Sequence, residues 1–191
     1  MLQFNGLGHI NIVVDDIEKA SQFYQDVFGA KKSQEFPHFK NSGFAKSAGF
    51  LEHPEKVDVS IQFLDIPHTG VFLELFCYHS PQGNQKINYF RTNDLGGVRH
   101  VCLRVKNIDQ AFLLVKNYPG IKLINSAPEY KPYKIDAITP DEFKFFDEKL
   151  ERDPAAKAEV CNIIGNIRYF YFIDPYGVQW EFEEGHDDIG H

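Results

Sequence analysis

One segment of this chain occurs twice. Gly8-His9-Ile10-Asn11-Ile12-Val13-Val14-Asp15-Asp16-Ile17-Glu18-Lys19-Ala20 returns as Arg99-His100-Val101-Cys102-Leu103-Arg104-Val105-Lys106-Asn107-Ile108-Asp109-Gln110-Ala111, displaced by 91 positions without a gap. Each copy sets a histidine at the head of an apolar strand that runs into a helix start. A unit this long, used only twice, is too large for a solenoid repeat and points to a duplicated half-domain. Two histidines at equivalent places in two halves are what a metal site on a pseudo-twofold axis requires.

The pattern after each copy extends the duplication. Residues 4–14 alternate, with Ile10, Ile12 and Val14 on one face and His9, Asn11 and Val13 on the other. Asp15 or Asp16 can cap a helix whose apolar positions Ile17, Ala20, Phe23, Tyr24, Val27 and Phe28 follow helical spacing, and Gly29 supplies the stop. Strand-like runs follow at 31–36, 44–51, 57–64 and 71–78. The second half opens with a strand at 98–105 and a helix at 108–118. It closes with a strand at 167–173, the turn Asp174-Pro175-Tyr176-Gly177 and a strand at 178–183. The expected fold is α+β: two tandem βαβββ modules forming a curved mixed sheet or half-barrel with a metal site in its cavity. The boundaries are 1–80 for the first module, 81–96 for a linker, and 97–191 for the second, which carries an insertion at about 125–166. Within the insertion, Thr139-Pro140-Asp141-Glu142 has the form of a capping box and predicts a helix over 140–152.

Charge and cysteine usage narrow the function classes. Twenty Lys and Arg stand against 27 Asp and Glu, without a basic cluster, which argues against nucleic acid as a partner and leaves a small-molecule substrate. No apolar run approaches the ~18 residues of a membrane span, so no membrane partner is expected. The first residues lack the basic and apolar regions of a signal peptide. Cys77, Cys102 and Cys161 are odd in number and widely spaced, and read as buried free thiols in a reducing compartment, so the expected location is the cytoplasm.

Strand patterning adds two carboxylates to the two histidines. Glu74 is the lone acid in Val71-Phe72-Leu73-Glu74-Leu75-Phe76, and an ionised carboxylate there needs a cation, a hydrogen-bond network or solvent. Glu181 lies in Gln179-Trp180-Glu181-Phe182 on the last strand. Each half thus offers a His on its first strand and a Glu on its last. Two imidazoles and two carboxylates suit a divalent Zn, Ni, Co, Fe or Mn ion with positions left open for substrate. Taken singly, each residue has an ordinary reading: a polar side chain on a half-buried strand, or an acid paired with Arg99, Arg104 or Arg168.

These stretches, with the helix Phe23-Tyr24-Gln25-Asp26-Val27-Phe28-Gly29 and the close Asp174-Pro175-Tyr176-Gly177-Val178-Gln179-Trp180-Glu181, resemble the vicinal oxygen chelate superfamily of glyoxalase I, bleomycin resistance proteins, methylmalonyl-CoA epimerase, fosfomycin resistance proteins and extradiol dioxygenases. The resemblance covers both modules but not the insertion. It implies that His9, Glu74, His100 and Glu181 hold a metal, and that the metal binds two neighbouring substrate oxygens and stabilises an enediolate or enolate. In glyoxalase I a metal-bound glutamate is also the base, which makes Glu181 the first catalytic candidate and Glu74 the second. The glyoxalase turn usually continues with a Lys, where this chain has Val178-Gln179-Trp180. It also lacks a basic set for glutathione, which argues against lactoylglutathione lyase activity.

The leading expectation is a metal-dependent lyase or isomerase of the glyoxalase/epimerase type. A non-haem Fe(II) dioxygenase using His9, His100 and Glu181, and a non-catalytic drug-binding protein, are the alternatives. Arg104 shares a strand face with His100 and is a candidate for a substrate carboxylate or phosphate, or else for a salt bridge. The aromatic insertion (Tyr130, Tyr133, Phe143, Phe145, Phe146) can lid the cavity or simply cover the sheet or an interface. A site completed within one chain and one exchanged across a homodimer both fit the repeat.

Overall fold

The computed structural model describes residues 7–95 and 97–185. Residues 4–6 of the first expected strand, residue 96 of the expected linker and residues 186–191 of the expected second module lie outside the described residues. The chain divides into two compact units, Met1–Asn88 and Tyr89–His191, so that the division falls within the 81–96 stretch. Both are α+β with curved open sheets.

The first unit runs β1 (Ile10–Val13), α1 (Ile17–Phe28), β2 (Lys31–Phe39), α2 (Ser42–Ser47), β3 (Asp58–Ile66) and β4 (Val71–Ser80). Its sheet order is β1-β4-β3-β2, with β1 parallel to β4 and the remaining pairs antiparallel. Asp16 caps α1 by accepting from the Lys19 amide at 3.0 Å, and Gly29 ends it at φ 64°, a conformation costly for a residue with a Cβ. The helix buries Ala20, Phe23, Tyr24 and Val27. Alternation in the strands places Leu64, Ile66, Leu73 and Leu75, all buried, on one face of the sheet. The other face carries Val59, Ile61 and Phe76, with Phe39, Phe44, Phe63 and Tyr78 packed against them.

Residues 44–51 read as a strand in sequence, but 42–47 fold as α2. Asn41 caps it through the Phe44 amide (2.9 Å), and Phe44 then lands against Phe39 and Phe76 at ring distances of 5.4 and 5.8 Å. A cap and a tertiary aromatic contact outweigh the apolar run.

The second unit repeats the path: β5 (Val101–Arg104), α3 (Ile108–Asn117), β6 (Lys122–Leu123), β7 (Tyr133–Lys134), α4 (Glu148–Glu151), α5 (Pro154–Ile164), β8 (Arg168–Ile173) and β9 (Gln179–Glu184). The order β5-β9-β8-β6 copies that of the first sheet, including the parallel pair β5/β9, and β7 also pairs with β8. Asn107 caps α3 at the repeat position of Asp16, accepting from the Gln110 amide at 3.0 Å. The buried face is aromatic: Phe112 meets Phe170 at 5.1 Å and Phe172 meets Phe182 at 5.0 Å, beside fully buried Trp180. Each such ring contributes roughly 2–3 kcal/mol on leaving water.

The Asp174-Pro175-Tyr176-Gly177 turn is built around one carboxylate. Asp174, fully buried, accepts from the amides of Tyr176 and Val178 and from the Trp180 indole, each at 2.9 Å. It thereby joins the hairpin to the core.

The insertion departs from expectation. The capping box forms, with the Thr139 amide donating to Glu142 at 2.6 Å, but it starts only a 3-10 turn, Pro140–Glu142. Phe143 is extended (φ −143°, ψ 167°), and new caps at Asp147 and Asp153 start α4 and α5 instead. Lys157 supplies the reason. Its ammonium binds the carbonyls of Pro140 and Phe143, pairs with Glu151 at 2.9 Å and lies 5.1 Å from the Phe143 ring centroid. Tyr130 fills the gap between β6 and β7: its hydroxyl accepts from the Tyr171 amide at 2.9 Å and lies 3.3 Å from the Tyr171 carbonyl.

Candidate metal centre

Strand pairing places the four expected ligands two by two. In the first unit Asn11 on β1 lies opposite Glu74 on β4; in the second, Cys102 on β5 lies opposite Glu181 on β9. The registers are equivalent, so each histidine, two residues before Asn11 or Cys102, stands on the same sheet face as the glutamate of its unit. The imidazole Nε2 lies 3.0 Å from a carboxylate oxygen in both cases, His9 to Glu74 and His100 to Glu181. Both glutamate side chains are 12% exposed, against 46% and 37% for the histidines.

The donors fit a divalent ion. Two cis ligands at ~2.1 Å from an octahedral metal stand ~3.0 Å apart, and each His–Glu pair already holds that spacing. Without an ion the same spacing is an N–H···O hydrogen bond, which satisfies a carboxylate otherwise costly to bury.

Around this common frame the two units differ. Asn11 donates its side-chain amide to Glu74 Oε2 (3.1 Å) and to the Glu74 carbonyl (3.2 Å). Glu181 instead hydrogen-bonds the hydroxyl of Tyr171, its cross-strand partner on β8. Burial pushes the Glu181 carboxyl up, with His100 and the Tyr171 hydroxyl pulling against it. Tyr171 is itself pushed up, by burial first and then by the Glu181 charge, so at neutral pH it is a proton donor. The residue paired with Glu74 on β3 is Phe63, which has no hydroxyl to offer.

Cys102 was expected to be buried; it is exposed, because position 102 falls on the same face as His100. It stands with Glu181 and Glu183 within 4.8 Å, ligand atom to ligand atom. Arg104, opposite Glu183 at the end of β5, is exposed on that face too. Of the other two arginines open to Glu74, Arg168 is bound to Asp109 at 2.6 Å and 2.9 Å, and Arg99 lies over the Phe90 ring, 4.6 Å from its centroid. Tyr171 escaped the sequence reading, since in Tyr169-Phe170-Tyr171 it looks like one aromatic among several. Aligning the third and fourth strands of the two halves would have set it against Phe63.

Comparisons with known proteins agree with this architecture. A family model described as Glyoxalase/Bleomycin resistance protein/Dioxygenase superfamily matches residues 6–118. Over 112 residues the chain is 33% identical to the mouse mitochondrial methylmalonyl-CoA epimerase and 30% identical to the human one, covering 58% of this chain. It spans about half the length of these curated relatives, 51% and 52%. Among solved structures, a glyoxalase family protein from Bacillus cereus aligns with a TM-score of 0.64 at 15% identity, over 96% of this chain and 95% of that one. The fosfomycin resistance protein FosX from Listeria monocytogenes, in a mutant complexed with Mn(II) and 1S,2S-dihydroxypropylphosphonic acid, aligns at 0.51 and 16% identity, over 98% of both chains. No helix among the described residues is long and apolar enough to cross a membrane.

Proposed function

We propose that this chain, which belongs to the Glyoxalase/Bleomycin resistance protein/Dioxygenase superfamily, is a metal-dependent isomerase or lyase of the epimerase/glyoxalase type. Its substrate is a small molecule with two neighbouring oxygens and an acidic C–H between or beside them. One observation carries the reading: the His–Glu pair, at 3.0 Å, built twice in the same strand register. The similarity to methylmalonyl-CoA epimerases favours isomerisation over the other reactions of the superfamily.

In this reading His9, Glu74, His100 and Glu181 are ligands to a divalent metal, which would supply Lewis acidity toward the substrate oxygens. Glu181 takes the proton from carbon. Burial raises the affinity of its carboxylate for a proton, which favours a general base once the carboxylate is free of the ion. The Tyr171 hydroxyl orients Glu181 and stabilises its charge before the transfer. Glu74 is the second carboxylate, and returning the proton from it inverts the carbon centre. Arg104 contributes a bidentate donor for a substrate carboxylate. We further propose a reducing location such as the cytoplasm, in keeping with three unbridged cysteines.

The test joins metal analysis to proton exchange. Protein loaded in turn with Ni(II), Co(II), Zn(II), Mn(II) and Fe(II) is incubated in D2O with methylmalonyl-CoA as the first probe and a panel of small α-hydroxy and α-keto acids after it. Metal-dependent deuterium incorporation at carbon, abolished in Glu181→Ala and impaired in His9→Ala, supports the proposal. Oxygen consumption restricted to the Fe(II) form would replace it with the dioxygenase reading. Failure of the His9 and Glu181 variants to alter metal binding would overturn both.

A further inference from the structure

A second group of metal-type side chains lies in the first unit and shares no residue with the pairs above. One ligand atom from each of His38, Asp58 and His79 falls within 4.8 Å of the others. These residues sit on three adjacent strands: His38 on β2, Asp58 at the start of β3 and His79 near the end of β4. Glu74 and His79 lie five positions apart on β4, roughly 16 Å of extended strand, so the two places are distinct.

The backbone is shaped to bring the three together. Between β2 and β3, Phe36 pairs with Ile61 and Phe39 with Val59, leaving Pro37 and His38 opposite the single residue Ser60. Between β3 and β4, Asp58 pairs with Ser80 and Val59 with Tyr78, leaving His79 as the extra residue. Both histidines therefore occupy bulges, one on each side of the same stretch of β3. Bulges re-aim side chains and gather at functional places in sheets.

The side chains are held as ligands are usually held. His38 Nδ1 lies 3.0 and 3.2 Å from the two Asp58 oxygens, the cis-ligand spacing already met in both His–Glu pairs. The His38 and His79 rings are 4.8 Å apart between centroids. Ser60 Oγ donates to the Pro37 carbonyl and lies 2.6 Å from His79 Nε2. Its one proton is thus committed, so Nε2–H of His79 donates to Oγ, and in the neutral tautomer this leaves the lone pair on Nδ1. Such an outer hydrogen bond fixes the tautomer of a ligating imidazole. The Lys40 ammonium, 3.3 Å from Asp58 Oδ2, occupies the place a cation would take. His38 is exposed and Asp58 mostly covered, so an ion can enter from solvent and meet a carboxylate shielded from it.

We propose that His38, Asp58 and His79 form a second divalent-metal site, independent of the first and suited to Zn(II), Ni(II) or Cu(II) through two imidazoles and one carboxylate. An ion there displaces Lys40 from Asp58 and ties β2, β3 and β4 together at their bulged ends.

The experiment is equilibrium dialysis against ZnCl2 with metal analysis, using the whole chain. His9→Ala/His100→Ala serves as the background that lacks the first site. That background is expected to retain one Zn(II) per chain, with affinity weakened at least tenfold by His38→Ala, His79→Ala or Asp58→Asn. Lys40→Met, which removes the competing ammonium without touching a ligand, is expected to tighten binding severalfold. Circular dichroism identifies any variant that fails to fold, and the Lys40 result then decides. Zn(II) absent from the folded background protein, or an affinity indifferent to all four substitutions, overturns the proposal. The proposed function fails separately, if wild type and the His9→Ala/His100→Ala background bind the same number of ions.

Discussion

The two His–Glu pairs have the same geometry and different neighbours. His9 and Glu74 are backed by an amide, Asn11, and an apolar ring, Phe63; His100 and Glu181 are backed by a thiol, Cys102, and a phenol, Tyr171. Val13 at the end of β1 is matched by Arg104 at the end of β5. The His–Glu spacing is the same in both units because strand register sets it, and register is fixed by the buried face of the sheet. The exposed face is free to diverge. In the first unit it has become apolar and suited to anchoring; in the second it offers proton-bearing and charged groups. Under the proposed function, chemistry and substrate choice reside in the second unit.

The comparison breaks most visibly at the carboxylates. Glu181→Gln is expected to reduce proton exchange at the substrate carbon by about a thousandfold or more, read as deuterium incorporation by mass spectrometry. Glu74→Gln is expected to cost less in exchange and more in inverted product. Equal losses would remove the distinction between the units.

The next effect is on stability. Asp174→Ala orphans the Trp180 indole and two amides inside the second unit, a loss of about 3 kcal/mol in urea unfolding. The corresponding turn of the first unit uses exposed Thr69, whose hydroxyl donates to the Ile66 carbonyl and accepts from the Val71 amide. Thr69→Ala should cost only about 1 kcal/mol.

Tyr171→Phe makes the second half-site resemble the first. About a tenfold fall in kcat with unchanged metal content is expected, and Phe63→Tyr should not restore it. A full loss of metal in Tyr171→Phe would make the tyrosine a structural prop for Glu181.

The smallest effect is in the acid limb of stability. The Arg168 guanidinium holds the Asp109 carboxyl below the usual range, and the Lys32 ammonium does the same for Glu18, its repeat equivalent on α1. A lowered folded-state pKa means that the contribution is complete above the ordinary carboxylate range, about pH 4. It fades as pH falls through that range toward the folded value. Asp109→Asn or Glu18→Gln should therefore flatten the loss of stability below about pH 4 and leave the slope at pH 6–8 unchanged.

Much of this was legible in the sequence, for a physical reason. The repeat carries its caps and alternation with it: Asp16 and Asn107, Gly29, and the apolar positions of both first strands all do in the structure what local chemistry requires of them. Glu74 announced itself as a charge in an apolar strand, and it found a partner. What escaped depends on contacts distant in sequence. The insertion's capping box is real, but Lys157, fifteen residues beyond Glu142, decides where the helix stops. Residues 44–51 are apolar enough for a strand until Asn41 and two distant phenylalanines are taken into account. Cys102 looked buried because its neighbours are apolar, although its parity with His100 already placed it outward. The bulges that join His38 to His79 are invisible without strand pairing.

The fragmented strand of the second unit has a bearing on solubility. An open sheet presents unpaired amides and carbonyls along its rim, onto which another chain can add a strand. In its own sheet, β2 is such a rim, nine residues long and solvent-exposed, but it carries Lys31, Lys32, Glu35 and the amide-free Pro37. The corresponding rim of the second sheet is reduced to two dipeptides, with the Tyr130 hydroxyl bound in the interval. Duplicating a sheet duplicates its exposed rims, and this chain has blunted one with charge and the other with a side chain. Replacing residues 124–132 by two residues, enough to face Tyr171 and Phe170, would join β6 to β7 in register and restore a continuous template for strand addition, and the chain would acquire a tendency to polymerise.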